Sequence, residues 1–256
     1  MKISGKAYLL IVMFIAVTSV QAQENANIPR QPPTKEQIEA FRKAMDERMR
    51  NDWAYLARYR DENARIGDPA PREDRVVFYG NSITDYWINV MPEFFTGKPY
   101  IDRGIGGQTT PQMLVRFRQD VINLKPKVVV ILAGINDIAG ATGPSTLEMI
   151  EDNIQSMVEL AKTNNIKVVL SSVLPCDSIM IRPDLHPAES VMQLNAWLKG
   201  YAIRSKCIYL DYFQSLANNK NGMKKEYTYD GVHPNKAGYQ VMAPLAEEAV
   251  RKALRK

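Results

Sequence analysis

Five short apolar runs, each followed by a segment of different periodicity, constrain this chain more than any other feature of its sequence. The runs are "RVVFYG" (75–80), "YIDRGI" (100–105), "KVVVILAG" (127–134), "KVVLSSVLP" (167–175) and "CIYLDYF" (207–213). Helical patterns lie between and after them at 109–124, 146–164, 188–204 and 235–254, and Ser145 with Glu148 reads as a capping box for the second. Near-continuous apolar strands separated by helices mean a parallel sheet covered on both faces. The expected architecture is therefore a three-layer α/β/α sandwich around a five-stranded parallel sheet. In such sheets ligands bind outside the carboxyl ends of the strands, where the strand order switches. Every loop that follows a strand is a candidate for chemistry.

The chain has 256 residues, enough for one core of the larger kind, since single cores run to roughly 250 residues before splitting. A composition 45% hydrophobic and 24% charged is that of a globular protein. Residues 1–22 read as a signal peptide: Lys2 and Lys6 flank its start, "YLLIVMFIAVTSV" is its apolar centre, and Val20-Gln21-Ala22 offers a cleavage site after Ala22. The apolar centre is shorter than the ~20 residues of a spanning helix, so no stable membrane insertion is expected. The mature protein is expected to be exported, to the periplasm or outside the cell. Residues 23–33, "QENANIPRQPP", read as a flexible leader.

Residues 34–66 read as an N-terminal helical extension. Thr34 and Gln37 form a capping box, and Ile38, Phe41, Met45, Met49, Trp53 and Leu56 form an apolar stripe broken near Asn51-Asp52. Packing of that stripe against the main domain, 67–256, is the expected role, with a homodimer contact as the alternative. Loss of Lys2 and Lys6 with the signal lowers the formal charge from +5 to +3, too little to imply a nucleic-acid partner. Cys176 follows the fourth strand and Cys207 opens the fifth. As neighbours in a parallel sheet they stand roughly 15 Å apart, beyond the ~7 Å a disulfide spans, so two free thiols are expected.

Four strand-end or loop segments concentrate polar groups: "GNSITD", "GIGGQTT", "AGINDI" and "YDGVHPN". In the first, a sharp turn from strand into helix would present the Ser82 hydroxyl to solvent. "GIGGQTT" is not a dinucleotide fingerprint, because the third glycine of that pattern falls at Thr109. Together, in this order, the four segments resemble the blocks of the GDSL or SGNH hydrolases, which carry Ser, Gly, Asn and His in turn. The resemblance runs from about 74 to 254 and implies the flavodoxin-like SGNH hydrolase fold. It departs at Asn81, where the family name has aspartate, a position that is neither nucleophile nor base.

A serine hydroxyl attacks an ester only if an imidazole takes its proton, and the imidazole needs a carboxylate to hold its tautomer. These roles fall to Ser82, His233 and Asp230; the last two are three apart, a spacing one helical turn would place side by side, and by the resemblance they lie on one loop. The resemblance implies an oxyanion hole from the N–H groups of Ser82 and Gly107 and the side-chain amide of Asn136. His186, the second of two histidines, has Asp184 nearby and is a rival base; otherwise it and Arg182 are candidates for the substrate pocket. Asp137 reads as a turn cap and Tyr229 as packing, and Tyr86 and Trp87 either pack beneath the sheet or wall the site.

The expected activity is that of a serine esterase working through an acyl-Ser82 intermediate, with no cofactor and no metal. "GIGGQTT" resembles the subgroup related to platelet-activating-factor acetylhydrolase, which implies short acyl groups, and export points to a soluble or glycan ester. A lysophospholipase and a non-catalytic glycan-binding protein on a hydrolase scaffold are the alternatives.

Overall fold

In a computed structural model that describes residues 34–179, 182 and 184–255, all five apolar runs enter one sheet. The strands are β1 (Val76–Gly80), β2 (Tyr100–Gly104), β3 (Val128–Leu132), β4 (Lys167–Ser171) and β5 (Ile208–Leu210). They pair entirely in parallel in the order β2-β1-β3-β4-β5. The signal peptide and leader fall outside the described residues. The helices are α1 (Lys35–Asn51), α2 (Arg60–Ile66), α3 (Ser82–Asp85), α4 (Trp87–Val90), α5 (Thr110–Asp120), α6 (Ile135–Ile138), α7 (Leu147–Thr163), α8 (Ala188–Arg204), α9 (Phe213–Leu216) and α10 (Lys236–Arg255).

Helices α5, α7 and α8 pack side by side, whereas α10 packs with α4 and crosses β3, β4 and β5. Alternating side chains of β1 show what each layer buries. Phe78 meets Trp87, Phe94 and Phe95 in edge-to-face contacts, and Trp87 stacks on Phe94 with ring centroids 4.4 Å apart. Tyr79, on the other side, packs on Phe117 of α5 and donates to the Met113 carbonyl. With β2 and β3 on opposite sides of β1, the order switches at β1, and the crevice forms at the carboxyl ends of β1 and β3.

Two strands are shorter than expected, because side chains replace the ladder. Past β4, the Asn195 amide of α8 bonds both the N–H and the C=O of Val173, at 2.7 and 3.0 Å. Past β5, Tyr212 and Phe213 both donate to the Ser172 hydroxyl, and α9 begins there. The cap of α7 is Thr146, which accepts from the Met149 N–H, and not Ser145. Cys176 and Cys207 are free, as the parallel pairing of β4 with β5 requires.

The extension breaks where the sequence indicated. α1 ends at Asn51, and the Asp52 carboxylate then accepts the N–H groups of Leu56 and Ala57, folding a turn. The side chains of Gln37, Ile38, Phe41 and Met45 lie outside what is described. From Trp53 onward the extension lies against the domain: Tyr59 is buried and donates to Gly104 O, and Asn63 bonds both Arg103 and Asp120.

Candidate active site

The turn after β1 depends on two glycines paired in register, Gly80 and Gly104. A Cβ on Gly80 would lie 2.1 Å from the Thr84 hydroxyl, and one on Gly104 would lie 2.0 Å from the Asp85 nitrogen. Their absence lets α3 lie directly across the ends of β1 and β2. Asn81 caps α3: its Oδ1 accepts from Ile83 N, and its carbonyl accepts from Thr84 N and Asp85 N. The Ser82 N–H is in the first turn of α3, where N–H groups have no intrahelical acceptor. The Ser82 hydroxyl is not open to solvent as the sequence suggested. The residue is 2% exposed, and its Oγ sits 2.9 Å from His233 Nε2.

His233 and Asp230 share the loop before α10. Asp230 Oδ1 accepts the N–H groups of Val232 and His233, while Oδ2 lies 2.7 Å from His233 Nδ1. The Thr228 hydroxyl accepts from Gly231 N and donates to the His233 carbonyl, which also accepts from Tyr229 N. Burial alone would push the Asp230 carboxyl up. The hydrogen bond and charge of His233, with the two backbone N–H groups, outweigh it and hold the carboxyl below its usual range. Of the two histidines, His233 meets Ser82, and His186 is exposed on the loop before α8.

Gly107 and Asn136 stand at the ends of β2 and β3. Gly107 has φ +77°, a left-handed value that favours glycine, and a Cβ there would meet nothing within 4 Å. Asn136 Nδ2 donates to Gln108 O at 2.9 Å, leaving its second amide hydrogen for another acceptor. Asp137 is buried and caps α5, accepting from the Thr110 N–H at 2.9 Å and hydroxyl at 2.6 Å. Burial pushes its carboxyl up to about 6 against the pull of those bonds.

Trp87 belongs to the core, whereas the Tyr86 ring lies 5.3 Å from that of His233 and forms a wall of the site. Tyr229 is largely exposed beside Asp230. Arg182 donates to Ala139 O, which ties its half-exposed side chain to the loop after Asn136. Sequence reasoning missed Gln108 and Arg116. Their signal was present as polar residues at core positions of an amphipathic segment, Arg116 lying between Met113 and Phe117. Among the described residues no group of three or more His, Cys, Asp or Glu is placed to hold a metal. A surface hollow lined by Asp68, Arg118 and Lys125 lies at the other end of the sheet, where β3 begins.

A doubly wound parallel sheet with serine, histidine and aspartate in hydrogen-bonded sequence, and with glycine and asparagine beside them at the switch point, defines the SGNH class of acylhydrolases. The chain belongs to the GDSL-like Lipase/Acylhydrolase family, whose profile it matches over residues 77–241. That family consists of carboxylic ester hydrolases. A Bacteroides fragilis structure assigned to the acylhydrolases is 48% identical, with 80% of this chain and 99% of that one covered and a TM-score of 0.78. A GDSL-like lipase from Bacteroides thetaiotaomicron is 45% identical over 79% of this chain and 100% of its own, at a TM-score of 0.77. The human platelet-activating factor acetylhydrolase IB subunit alpha2 is 29% identical over 118 residues, 44% of this chain. The chain spans about half the length of that curated relative, 49%.

Proposed function

We propose that this protein is an exported serine esterase that hydrolyses short-chain acyl esters, acetyl esters of carbohydrates or similar soluble alcohols foremost. The observation that carries the reading is the continuous bonding from Ser82 Oγ through His233 to Asp230, at 2.9 and 2.7 Å. In the proposed reaction His233 Nε2 takes the Ser82 proton as Oγ attacks the ester carbonyl. Asp230 holds the hydrogen on Nδ1, so that Nε2 presents a lone pair, and stabilises the imidazolium that forms. The oxyanion is received by the N–H groups of Ser82 and Gly107 and the spare amide hydrogen of Asn136, each such donor contributing about 10²–10³-fold in rate. His233 returns the proton to the departing alcohol, and water activated by the same imidazole then releases the acyl group from Ser82. Arg182 and His186, on the loop before α8, are proposed to face the alcohol portion.

Two features support a small acyl group. Only 2% of Ser82 and 7% of His233 is exposed, so little of the pair meets solvent. The acetylhydrolase relative also names an acetyl substrate. Export is supported by the charged and apolar pattern of residues 1–22.

The test is p-nitrophenyl ester turnover by the wild type and Ser82→Ala. Replacement is expected to reduce kcat by at least about 10³-fold, and equal rates would remove the esterase reading in favour of a binding protein. Acyl chains of two to twelve carbons then separate the substrate classes. Activity falling with length supports the short-acyl reading, and activity rising with length points instead to a lysophospholipase.

A further inference from the structure

The clearest unassigned feature lies behind the proposed oxyanion donors. Gln108 is 1% exposed, yet all its polar groups are engaged. Its carbonyl accepts from Asn136 Nδ2 at 2.9 Å, its Nε2 donates to Ala54 O at 2.7 Å, and its Oε1 accepts from Arg116 Nε. Arg116, itself wholly buried, also donates to Gly80 O at 2.9 Å and Arg103 O at 3.0 Å. Gly80 is two residues before the nucleophile. One glutamine thus joins the Asn136 amide, the Gly106-Gly107 turn, the end of β1 and the N-terminal extension.

The extension makes this contact in a particular way. Three carbonyls of the turn folded by Asp52 accept from three glutamine side chains: Trp53 O from Gln112, Ala54 O from Gln108 and Leu56 O from Gln119. Gln112 and Gln119 lie two turns apart on one face of α5, and Gln108 immediately precedes its N-cap, Thr109. A second tie runs alongside. Asp85 Oδ2 accepts the Gly106 N–H at 3.0 Å, and Arg58 of the extension lies 3.8 Å from the other oxygen of that carboxylate.

We infer that residues 52–59 are a positioning strap for the oxyanion hole and that Gln108 is the positioning residue through which it acts. The inference rests on the proposed roles of Ser82 and Asn136. An amide aimed at a developing oxyanion is effective only while it is held in place beforehand. Asn136 is aimed by the Gln108 carbonyl. That carbonyl is fixed because both ends of the Gln108 amide are bonded, one of them to the strap.

The experiment measures kcat and KM for p-nitrophenyl acetate in the full chain, normalised to the fraction of Ser82 labelled by a fluorophosphonate. Gln108→Ala is expected to lower kcat about 10- to 100-fold with KM within about twofold. In an Asn136→Ala background the same change should cost less than about twofold, because the donor it positions is already gone. Arg75→Ala, which removes bonds to Gly67 O and Leu124 O at the opposite end of β1 and leaves the strap intact, should lower the melting temperature and leave kcat unchanged. Gln108→Glu, which keeps the acceptor for Arg116 and loses the donor to Ala54, should also lower kcat, and it decides the matter if the alanine variant does not fold. Wild-type kcat per labelled serine in both Gln108 variants, additive losses with Asn136→Ala, or an equal kcat loss in Arg75→Ala would each overturn the inference. Wild-type turnover by Ser82→Ala or Asn136→Ala would instead overturn the esterase reading beneath it.

Discussion

Asp230 does two jobs with two oxygens, and this decides what its replacement should do. Oδ1 holds the N–H groups of Val232 and His233, and Oδ2 faces His233 Nδ1. In Asp230→Asn the amide oxygen can keep the backbone bonds, so the loop stays folded, but an NH₂ then faces Nδ1. The imidazole must turn its lone pair to Nδ1 and its hydrogen to Nε2, toward Ser82, where a base is needed. We expect kcat to fall about 10³–10⁴-fold with little change in melting temperature. Steady-state kinetics with thermal denaturation checks both parts, and a loss of less than tenfold would show that the carboxylate does not set the tautomer. The pairing of Asp230 with His233 was legible as a motif. The Asx-type turn that achieves it was not, because a spacing of three is shared by helices and loops.

At the scale of elements, short polar ties fix how the loops sit on the helices they join. Asp137, next to Asn136, anchors the end of β3 to the first turn of α5 through Thr110. Burial raises its carboxyl to about 6 in the folded chain, from an ordinary value near 3.8. A raised acid stabilises the fold most below its unfolded pKa, and that contribution is lost as pH rises through the folded one. Asp137→Asn has no such titration. The stability advantage of the wild type over the variant should therefore shrink between pH 4 and pH 7.5, by up to about 3 kcal/mol. Urea denaturation at the two pH values measures it, and a constant difference would contradict the assignment. The five strands and the long helices α5, α7, α8 and α10 were placed within a few residues by periodicity alone. Their ends moved where Asn195, Ser172 and Thr146 offered side-chain partners to the backbone, bonds that no single-residue propensity encodes.

For the whole molecule, the domain and what precedes it are separate questions. Among the described residues no helix is long and apolar enough to cross a membrane. With the proposed signal removed, the chain should begin at Gln23, as intact mass of the protein from a secreting bacterial host would show. Retention of residues 1–22 in the exported fraction would argue for an anchor.

The sequence by itself determined the layers, since a parallel sheet follows from β-branched runs alternating with amphipathic helices, and it named the polar blocks in their loops. Only the tertiary structure decided which histidine meets Ser82 and that the hydroxyl is enclosed. It alone showed that Gln108 links the extension to Asn136. The physical reason is range. Periodicity records how a residue meets its neighbours within a few positions, whereas Ser82 and His233 lie 151 residues apart along the chain. The bond between them exists only because α10 packs across the sheet and against α4, with Tyr239 donating to Ile83 O, and so carries the loop before it to the end of β1.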